Sequence, residues 1–348
     1  MDVPLVEQAL ARYKCDANTA VCFKLVQCEN DVFDKGKEFH PIFFTSVLWR
    51  QPDPVLSVIA ERYPVAGCLT NLDEFIARLP DEAKFRPMGD LLHSYKQNDV
   101  EYEIYKGDVT TPRLMDYHER LQTFLLWFVD ASSYIDTDDE KWHYFLLFEK
   151  RKEAGETRYS IAGYITVYQY YAYPDKIRPR VSQMLVLPPF QKQGHGAQLL
   201  QTVHRFYIKD PQVLDITVED PSYDFIRLRD YIDALDCSKL SEFTPENLRN
   251  GFSDKMRQCR RVYEILRLRV TDLSNAEEYK SYRLDVKQRL NIPFQKEKAD
   301  MEKLMLILKP EEVSATLQTP HERMQHLEQV YQELESHYKK TIERIAAS

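Results

Sequence analysis

The chain has 348 residues, 43% of them hydrophobic and 12% aromatic, with 47 Lys and Arg against 55 Asp and Glu and a formal net charge of -8. This apolar content excludes a disordered chain, and the acidic balance argues against direct nucleic-acid binding. No apolar run approaches the ~18 residues of a membrane-spanning helix, and the first residues lack a secretory-signal pattern. We therefore expect an intracellular protein of two or three domains without membrane contact.

The spacing of cysteines and histidines predicts no metal site. The six cysteines include no C-x-x-C pair, and the nine histidines include no H-E-x-x-H or similar compact ligand spacing. Reduced structural thiols are therefore expected, rather than a disulfide framework or a zinc cluster.

The N-terminal third predicts helices and strands around an irregular stretch. In chain order the predicted elements are a helix at Val6–Tyr13, a strand at Ala20–Val26, an irregular stretch at Asn30–Pro54, strands at Leu91–Tyr95 and Tyr102–Tyr105, and a helix that opens at Thr111-Pro112 and keeps apolar residues at helical spacing as far as Phe128.

The middle third predicts antiparallel strands and then a β-loop-α-β unit, and the chain after Pro221 predicts helices. The elements are strands at Trp142–Glu149, Ala162–Tyr173 and Val181–Leu187, a helix at Gly196–Tyr207, a strand at Val213–Val218, and helices at Arg260–Val270, Ala276–Leu290 and from Pro310 onward. A β-loop-α-β unit normally has parallel strands joined by a right-handed crossover.

Two charge clusters each allow two interpretations. From Arg257 to Lys298 there are 11 basic and 6 acidic residues, which favours a solvated helix face over a binding patch. The four acidic residues of Asp136–Glu140 fit either an ordinary loop with helix-capping carboxylates or a surface that attracts a lysine-rich partner.

Glycine is scarce, with 9 residues where average usage gives roughly 24, yet Gly194 and Gly196 lie one residue apart between a predicted strand and helix. Glycines there let a phosphate approach the backbone and the N–H groups that begin the helix, and Lys192 could add positive charge. A Walker loop is absent, and the third glycine position of a dinucleotide-binding fingerprint is Leu199. The spacing alone therefore predicts a phosphate-bearing ligand without identifying it.

The segment Val181–Leu200, V-S-Q-M-L-V-L-P-P-F-Q-K-Q-G-H-G-A-Q-L-L, resembles the acetyl-CoA-binding motif of the GNAT acetyltransferases. Other stretches resemble, more narrowly, the family of type B histone acetyltransferase catalytic subunits, and the similarity covers most of the chain from about Gly67 onward. These stretches are Tyr117–Phe128, Tyr173–Gln183, Leu214–Ser222 and Arg261–Leu268.

Together with the predicted elements, the resemblance implies an α+β protein with a GNAT acetyltransferase core. The expected parts are a mixed α/β N-terminal domain at 1–112 that is shortened relative to the family, the acetyl-CoA-binding core at 113–222, and an all-helical C-terminal domain at 223–348. The implied activity is transfer of acetyl from acetyl-CoA to tail lysines of newly made histone four, with histone two-A as a further substrate. The implied partner is a WD-repeat histone chaperone, and members of the family occur in cytoplasm and nucleus.

The resemblance also carries over three sets of site residues. The catalytic set is Glu219 as general base with Asp220 and Asp130 as supporting carboxylates. The acetyl-CoA set is Met184, Leu185, Val186, Gln191, Lys192, Gln193, Gly194, His195, Gly196, Ala197 and Ser222. The histone-groove set is Tyr168, Gln169 and Tyr170.

The catalytic set also makes chemical sense without the resemblance. A substrate lysine with a pKa of about 10.4 must lose a proton before its amine can attack. Glu219 and Asp220 end a predicted strand beside the glycine loop, where an open sheet places its crevice. A polar strand terminus is the alternative interpretation of these two residues.

Two stretches, about Asp31–Val65 and Ser253–Arg260, depart from the family pattern and look shortened. The acidic histone-contacting segment of the family has no clear counterpart in the first stretch. Two alternatives to histone acetylation therefore stay open: a GNAT enzyme for another amine, such as a different protein lysine or a polyamine, and an inactive histone-binding scaffold.

Overall fold

The structure is a computed structural model. It describes residues 21–40, 69, 71–82, 84–129, 132–153, 155–250, 257–304 and 320–347. The chain divides into two compact units, Met1–Asp220 and Pro221–Ser348. The predicted helix at Val6–Tyr13 lies outside the described residues, and no described helix is long and apolar enough to cross a membrane.

The first unit is built on a sheet whose described strands follow the order β3-β4-β5-β6-β7-β8. The strands are β3 Asp90–Gln97, β4 Val100–Asp108, β5 Trp142–Glu153, β6 Glu156–Ala172, β7 Lys176–Val186 and β8 Thr217–Val218. Neighbouring strands are antiparallel from β3 to β7, whereas β7 and β8 are parallel. The predicted antiparallel hairpin and the parallel β-loop-α-β unit are both confirmed.

Shorter elements surround this sheet. They are β1 Phe23–Lys24, α1 Glu29–Phe33, β2 Glu38–Phe39, α2 Leu72–Glu82, α3 Leu114–Leu121, α4 Leu125–Phe128 and α5 His195–Ile208. The continuous helix expected from Thr111 to Phe128 is wrong, because a 3-10 turn at Gln122–Phe124 separates α3 from α4. Helix α2 was not predicted, and it contains Pro80, which normally argues against a helix interior.

The core of the first unit lies on both faces of the central strands. All side chains of Tyr144–Phe148 on β5 are at most 1% exposed, as expected for a strand covered on both sides. Helix α3 packs on one face, where the ring of His118 lies 5.4 Å from that of Tyr164. Helix α5 packs on the other, where the ring of Tyr207 lies 6.1 Å from that of Phe145.

The second unit is helical among its described residues. Its helices are α6 Tyr223–Cys237, α7 Pro245–Asn250, α8 Arg257–Val270, α9 Ala276–Leu304 and α10 Pro320–Ala346. The apolar face of α10, which carries Tyr331 and Tyr338, packs with α6, α8 and α9 in one buried cluster. This arrangement is a helical bundle rather than a coiled-coil seam.

Two arginines, one on α8 and one on α9, bind carboxylates that are fully buried in this bundle. Arg261 donates to Asp230 at 2.5 and 3.0 Å, and Arg289 donates to Glu264 at 2.7 and 2.8 Å. Both carboxyl residues are 0% exposed. The solvated helix face expected for the basic stretch is therefore wrong for these arginines, since a count of charges along the sequence contains no information about their partners.

Candidate active site and acetyl-CoA loop

Strands β7 and β8 separate soon after they meet. They pair only at Arg180–Thr217 and Val181–Val218, after which the backbone N–H of Glu219 donates to the carbonyl of Val181 at 2.9 Å. The predicted strand at Val213–Val218 is thus longer than the observed one, because Val213 forms only an isolated bridge.

Beyond this point β7 has one free edge among the described residues. Its segment 183–186 pairs with β6 alone. A free strand edge presents backbone N–H and C=O groups that an extended ligand can bind. The segment includes Met184, Leu185 and Val186, the residues expected to hold the acetyl and pantetheine portions of acetyl-CoA.

Gly163 on β6 allows this segment to lie close. A Cβ atom there would be 2.6 Å from the Leu185 carbonyl oxygen and 3.0 Å from Cα of Val186, so any other residue would displace the strand. The sequence analysis missed Gly163. An isolated glycine inside a strand pattern is the signal that could have identified it.

The glycine loop leads directly into α5. Gly194 has φ +88° and begins the helix without a side-chain cap, and Lys192 also has a positive φ of 59°. The backbone N–H groups of Ala197 and Gln198 donate to the Gly194 carbonyl. The N–H groups that precede them lie at the positive end of a 14-residue helix, which is the usual environment for a bound phosphate.

The side chains of the loop stabilise its backbone. Gln191 Nε2 donates to the Val186 carbonyl at 2.8 Å, and Gln193 Nε2 donates to the Pro189 carbonyl at 2.9 Å. His195 is 1% exposed and its ring lies 4.2 Å from that of Tyr102. These side-chain contacts hold the loop backbone in place, whereas the exposed side chain of Lys192 can supply charge.

Three side chains of β3 hold this loop from the far edge of the sheet. Tyr95 Oη lies 2.7 Å from His195 Nδ1, and His93 Nε2 lies 3.1 Å from Gln198 Oε1. Gln97 Nε2 donates to the Gln193 carbonyl. None of the three is among the site residues predicted from the sequence. Their positions at i, i+2 and i+4 place them on one strand face, which is a signal the sequence contains.

The proposed catalytic carboxylates lie where β8 ends. Glu219 is exposed, and its Oε2 accepts a hydrogen bond of 2.8 Å from Ser182 Oγ. Asp220 is also exposed and has φ +30°, a region that side-chain-bearing residues rarely adopt. Both residues are therefore open to solvent rather than buried. Asp130 lies outside the described residues.

Ser222, the last residue of the acetyl-CoA set, belongs to the second unit. It is the N-cap of α6, and its Oγ accepts a hydrogen bond from the backbone N–H of Phe225 at 3.2 Å. This bond gives the residue a structural role in starting the helix. A contact with acetyl-CoA stays a prediction.

The three groove residues on β6 do not share one face. The rings of Tyr168 and Tyr170 lie 4.7 Å apart. Gln169 Nε2 instead lies 2.7 Å from His143 Nε2, and His143 Nδ1 lies 2.8 Å from Tyr207 Oη on α5. The structure therefore brings the two tyrosines together and places Gln169 on the opposite face.

The acidic loop adjoins the tyrosine pair. Tyr168 Oη donates to Asp139 Oδ2 at 2.9 Å, and the Trp142 ring packs 4.9 Å from that of Tyr168. Hydrogen bonds from the backbone N–H of Lys141 and from Tyr168 hold the pKa of Asp139 below its usual value. A charged carboxylate beside the half-buried ring of Tyr168 and the exposed ring of Tyr170 suits a cationic, extended substrate.

These features together fit acetyl-CoA. The free edge of β7 suits the amide-containing pantetheine chain, and the uncapped start of α5 suits the pyrophosphate. Gly194 leaves open space, since no heavy atom lies within 4 Å of the position of a Cβ atom. The Glu219 carboxylate lies just after the point where the two strands stop pairing.

Family models match three parts of the chain. The model for "Histone acetyl transferase HAT1 N-terminus" matches residues 44–130, and that for "Acetyltransferase (GNAT) family" matches residues 103–227. The model for "Histone acetyltransferase type B catalytic subunit, C-terminal" matches residues 229–268.

Curated relatives extend the match over nearly the whole chain. The histone acetyltransferase type B catalytic subunit of Homo sapiens is 42% identical over 401 residues, covering 98% of this chain and 96% of that protein. The Mus musculus protein is 43% identical with the same coverage, and a Dictyostelium discoideum protein is 38% identical over 60% of this chain and 50% of its own length. The similarity therefore begins well before Gly67. The alignment with the Homo sapiens protein is 401 residues long, which is longer than this chain, as expected when the chain lacks segments that the relative contains.

Proposed function

This chain belongs to the family of histone acetyltransferase type B catalytic subunits, and on that premise we propose that it transfers acetyl from acetyl-CoA to tail lysines of newly synthesised histone four, with histone two-A as a further substrate. GNAT acetyltransferases use acetyl-CoA, so the loop at Gln191–Ala197 and the free edge of β7 are the proposed acetyl-donor site. No metal takes part in the proposed reaction.

The proposed step is a direct transfer. Glu219 accepts a proton from the protonated lysine, and the neutral amine then attacks the thioester carbonyl carbon. The carbon–nitrogen bond forms as the carbon–sulfur bond breaks, and the sulfur of coenzyme A leaves as a thiolate with the bonding electron pair. The amine nitrogen then loses its second proton, which the thiolate takes up, so that the products are the neutral amide and the thiol of coenzyme A. Asp220 and Asp130 are the proposed supporting carboxylates, which favour the approach of the cationic side chain.

One observation carries this proposal. The Glu219 carboxylate stands at the point where β7 and β8 separate, in the same unit as the uncapped N-terminus of α5. A base beside a site that binds an activated acyl donor is the arrangement that acyl transfer to an amine requires.

The charge of the neighbouring surface supports a basic peptide substrate. Tyr168 and Tyr170 offer flat apolar area, and Asp139 offers a carboxylate that is held by Tyr168. A histone tail is extended and lysine-rich, so its flanking lysines can pair with the acidic loop while one lysine reaches Glu219.

The test is an acetyl-transfer assay with purified protein and radiolabelled acetyl-CoA. Histone-four tail peptide, histone-two-A tail peptide, an unrelated lysine peptide of equal charge and spermidine are offered separately. We expect the highest kcat/KM with the histone-four tail. Label on spermidine alone would contradict the histone assignment, and acetyl-CoA binding without transfer to any amine would indicate a binding scaffold.

We also propose a WD-repeat histone chaperone as partner and residence in both cytoplasm and nucleus, since both follow from the family. Affinity purification of the tagged full chain from separated cytoplasmic and nuclear extracts tests both statements. The chaperone should co-purify from each extract, and its absence from both would contradict the partner assignment.

A further inference from the structure

Three irregular features of the backbone lie next to Glu219. Strand β7 contains one extra residue against β6, because Val167 pairs with Val181 and Thr166 pairs with Gln183. The extra residue is Ser182. Pairing of β7 with β8 ends at the residue before it, and the chain turns through the positive φ of Asp220 directly after Glu219.

The extra residue changes where the serine hydroxyl points. A β-bulge leaves its added residue without a ladder partner and re-aims the side chain, and bulges are common beside active sites. Here the result is a hydrogen bond between neighbouring strands, in which Ser182 Oγ donates to Glu219 Oε2 at 2.8 Å. Among the described residues, Ser182 is the hydrogen-bond partner of the Glu219 side chain.

This bond acts on a side chain that is otherwise free to move. Glu219 is exposed, and an exposed glutamate populates several rotamers whose restriction costs entropy. A general base must lie within hydrogen-bond reach of the proton that it removes. A charge-assisted bond to one oxygen selects one orientation and leaves the other oxygen, Oε1, available to accept a proton.

We propose that Ser182 is a positioning residue for the general base: it holds Glu219 by Oε2 so that Oε1 faces the substrate amine. The proposal rests on the function proposed above, in which Glu219 accepts the lysine proton. Ser182 itself touches no reacting atom in this scheme, and its effect reaches the reaction only through Glu219.

The test compares S182A, S182T, E219Q and the double variant S182A/E219Q in the full chain, with the histone-four tail peptide as substrate. We expect S182A to lower kcat roughly tenfold, since small displacements of a catalytic group cost that much or more. The Kd for acetyl-CoA should stay within twofold of the parent, which also shows that the site is folded. S182T keeps the hydroxyl and should recover most of kcat.

A nearby hydroxyl provides the matched control. Thr217 lies on β8, two residues before Glu219, and its Oγ1 donates to the Pro179 carbonyl at 3.4 Å. T217V removes a hydroxyl from the same pair of strands without touching the Glu219 carboxylate. We expect its kcat to equal that of the parent.

The double variant separates positioning from a merely structural effect. If Ser182 acts through Glu219, S182A should lower kcat no further once Glu219 is already Gln. Equal losses in both backgrounds, or S182A as fast as the parent while E219Q is slow, would overturn the inference and leave the general base standing. An E219Q variant as fast as the parent would instead overturn the general base, and the inference with it.

Discussion

Tyr95 Oη on the edge strand β3 lies 2.7 Å from Nδ1 of His195, the first residue of α5. Burial lowers the pKa of His195 and raises that of Tyr95, so both groups are neutral at pH 7 and share one hydrogen bond. The start of α5 is thereby held by β3, which lies at the opposite edge of the sheet from β8.

The first prediction concerns this contact. Y95F leaves the buried Nδ1 of His195 without its hydrogen-bond partner, and an unpaired buried polar atom costs about 1–3 kcal/mol. We expect a weaker affinity for acetyl-CoA by calorimetry and a lower free energy of unfolding. Y171F is the control, because Tyr171 is 68% exposed and its hydroxyl donates to the Pro174 carbonyl, three residues along the same chain segment. An unchanged Kd in Y95F would show that the loop does not depend on β3.

The second prediction concerns charge at the start of α5. Gly194 has a positive φ, and a Cβ atom there would meet no heavy atom within 4 Å, so Asp and Asn are accommodated with a similar backbone cost. G194D places a negative charge where the pyrophosphate is proposed to bind, and it should weaken acetyl-CoA binding by at least about tenfold relative to G194N. Equal binding by the two variants would mean that this loop is only an entry to the helix.

The third prediction concerns the buried ion pairs of the helical unit. Asp230 is 0% exposed and accepts hydrogen bonds from Arg261 and from His337 Nε2, the latter at 3.0 Å. D230N leaves Arg261 buried without its carboxylate, which should lower the free energy of unfolding by about 3–5 kcal/mol. Urea unfolding, monitored by the circular dichroism of the helices, measures this loss. D236N is the control, because Asp236 pairs with Lys239 at the surface and should cost less than about 1 kcal/mol. Equal effects would contradict a stabilising role for the buried pair.

The pH dependence of this pair has a definite sign. Burial alone would raise the pKa of Asp230, but the hydrogen bonds from His337 and Arg261 hold it below the usual value of 3.8. A lowered pKa stabilises the folded state above pH 3.8, and this contribution is lost as the pH falls through the lower folded value. D230N should therefore show less loss of stability than the parent below about pH 4.

The fourth prediction concerns His118 in the core of the first unit. Its ring is 0% exposed, and burial lowers its pKa to about 3. Between about pH 3 and the unfolded value near 6.5 the unfolded chain binds one more proton, so the free energy of unfolding rises with pH by up to about 1.4 kcal/mol per unit. H118F should remove that part of the slope, whereas H321F, at an exposed histidine, should keep it. The same slope in H118F would contradict a neutral His118.

The predictable parts of the fold are those that local pattern determines. Strands β5 and β6 follow from their apolar runs, the end of β7 follows from the apolar segment before Pro188-Pro189, and helix α5 follows from the glycine loop. Strand alternation also contained the information that Gln169 faces away from Tyr168 and Tyr170, since consecutive strand residues point to opposite faces. The resemblance assigned all three residues to the histone groove because they are adjacent in the sequence, and this grouping disregards the alternation of strand faces.

Other features depend on partners that are remote in the sequence. The bulge at Ser182 depends on its register against β6, and the burial of Arg261 depends on Asp230, 31 residues away. The contact of Tyr95 with His195 spans 100 residues. Periodicity and composition describe neighbours along the chain only, so they could not reveal these contacts.

The most direct measurement of the central claim is the steady-state kcat of E219Q with the histone-four tail peptide, alongside its Kd for acetyl-CoA. Gln keeps the shape of Glu219 and its place beside Ser182 but cannot accept the lysine proton. We predict a loss of at least about 100-fold in kcat, as expected for removal of a general base, with the Kd for acetyl-CoA within twofold of the parent. A kcat equal to that of the parent would contradict the assignment of Glu219 as the base.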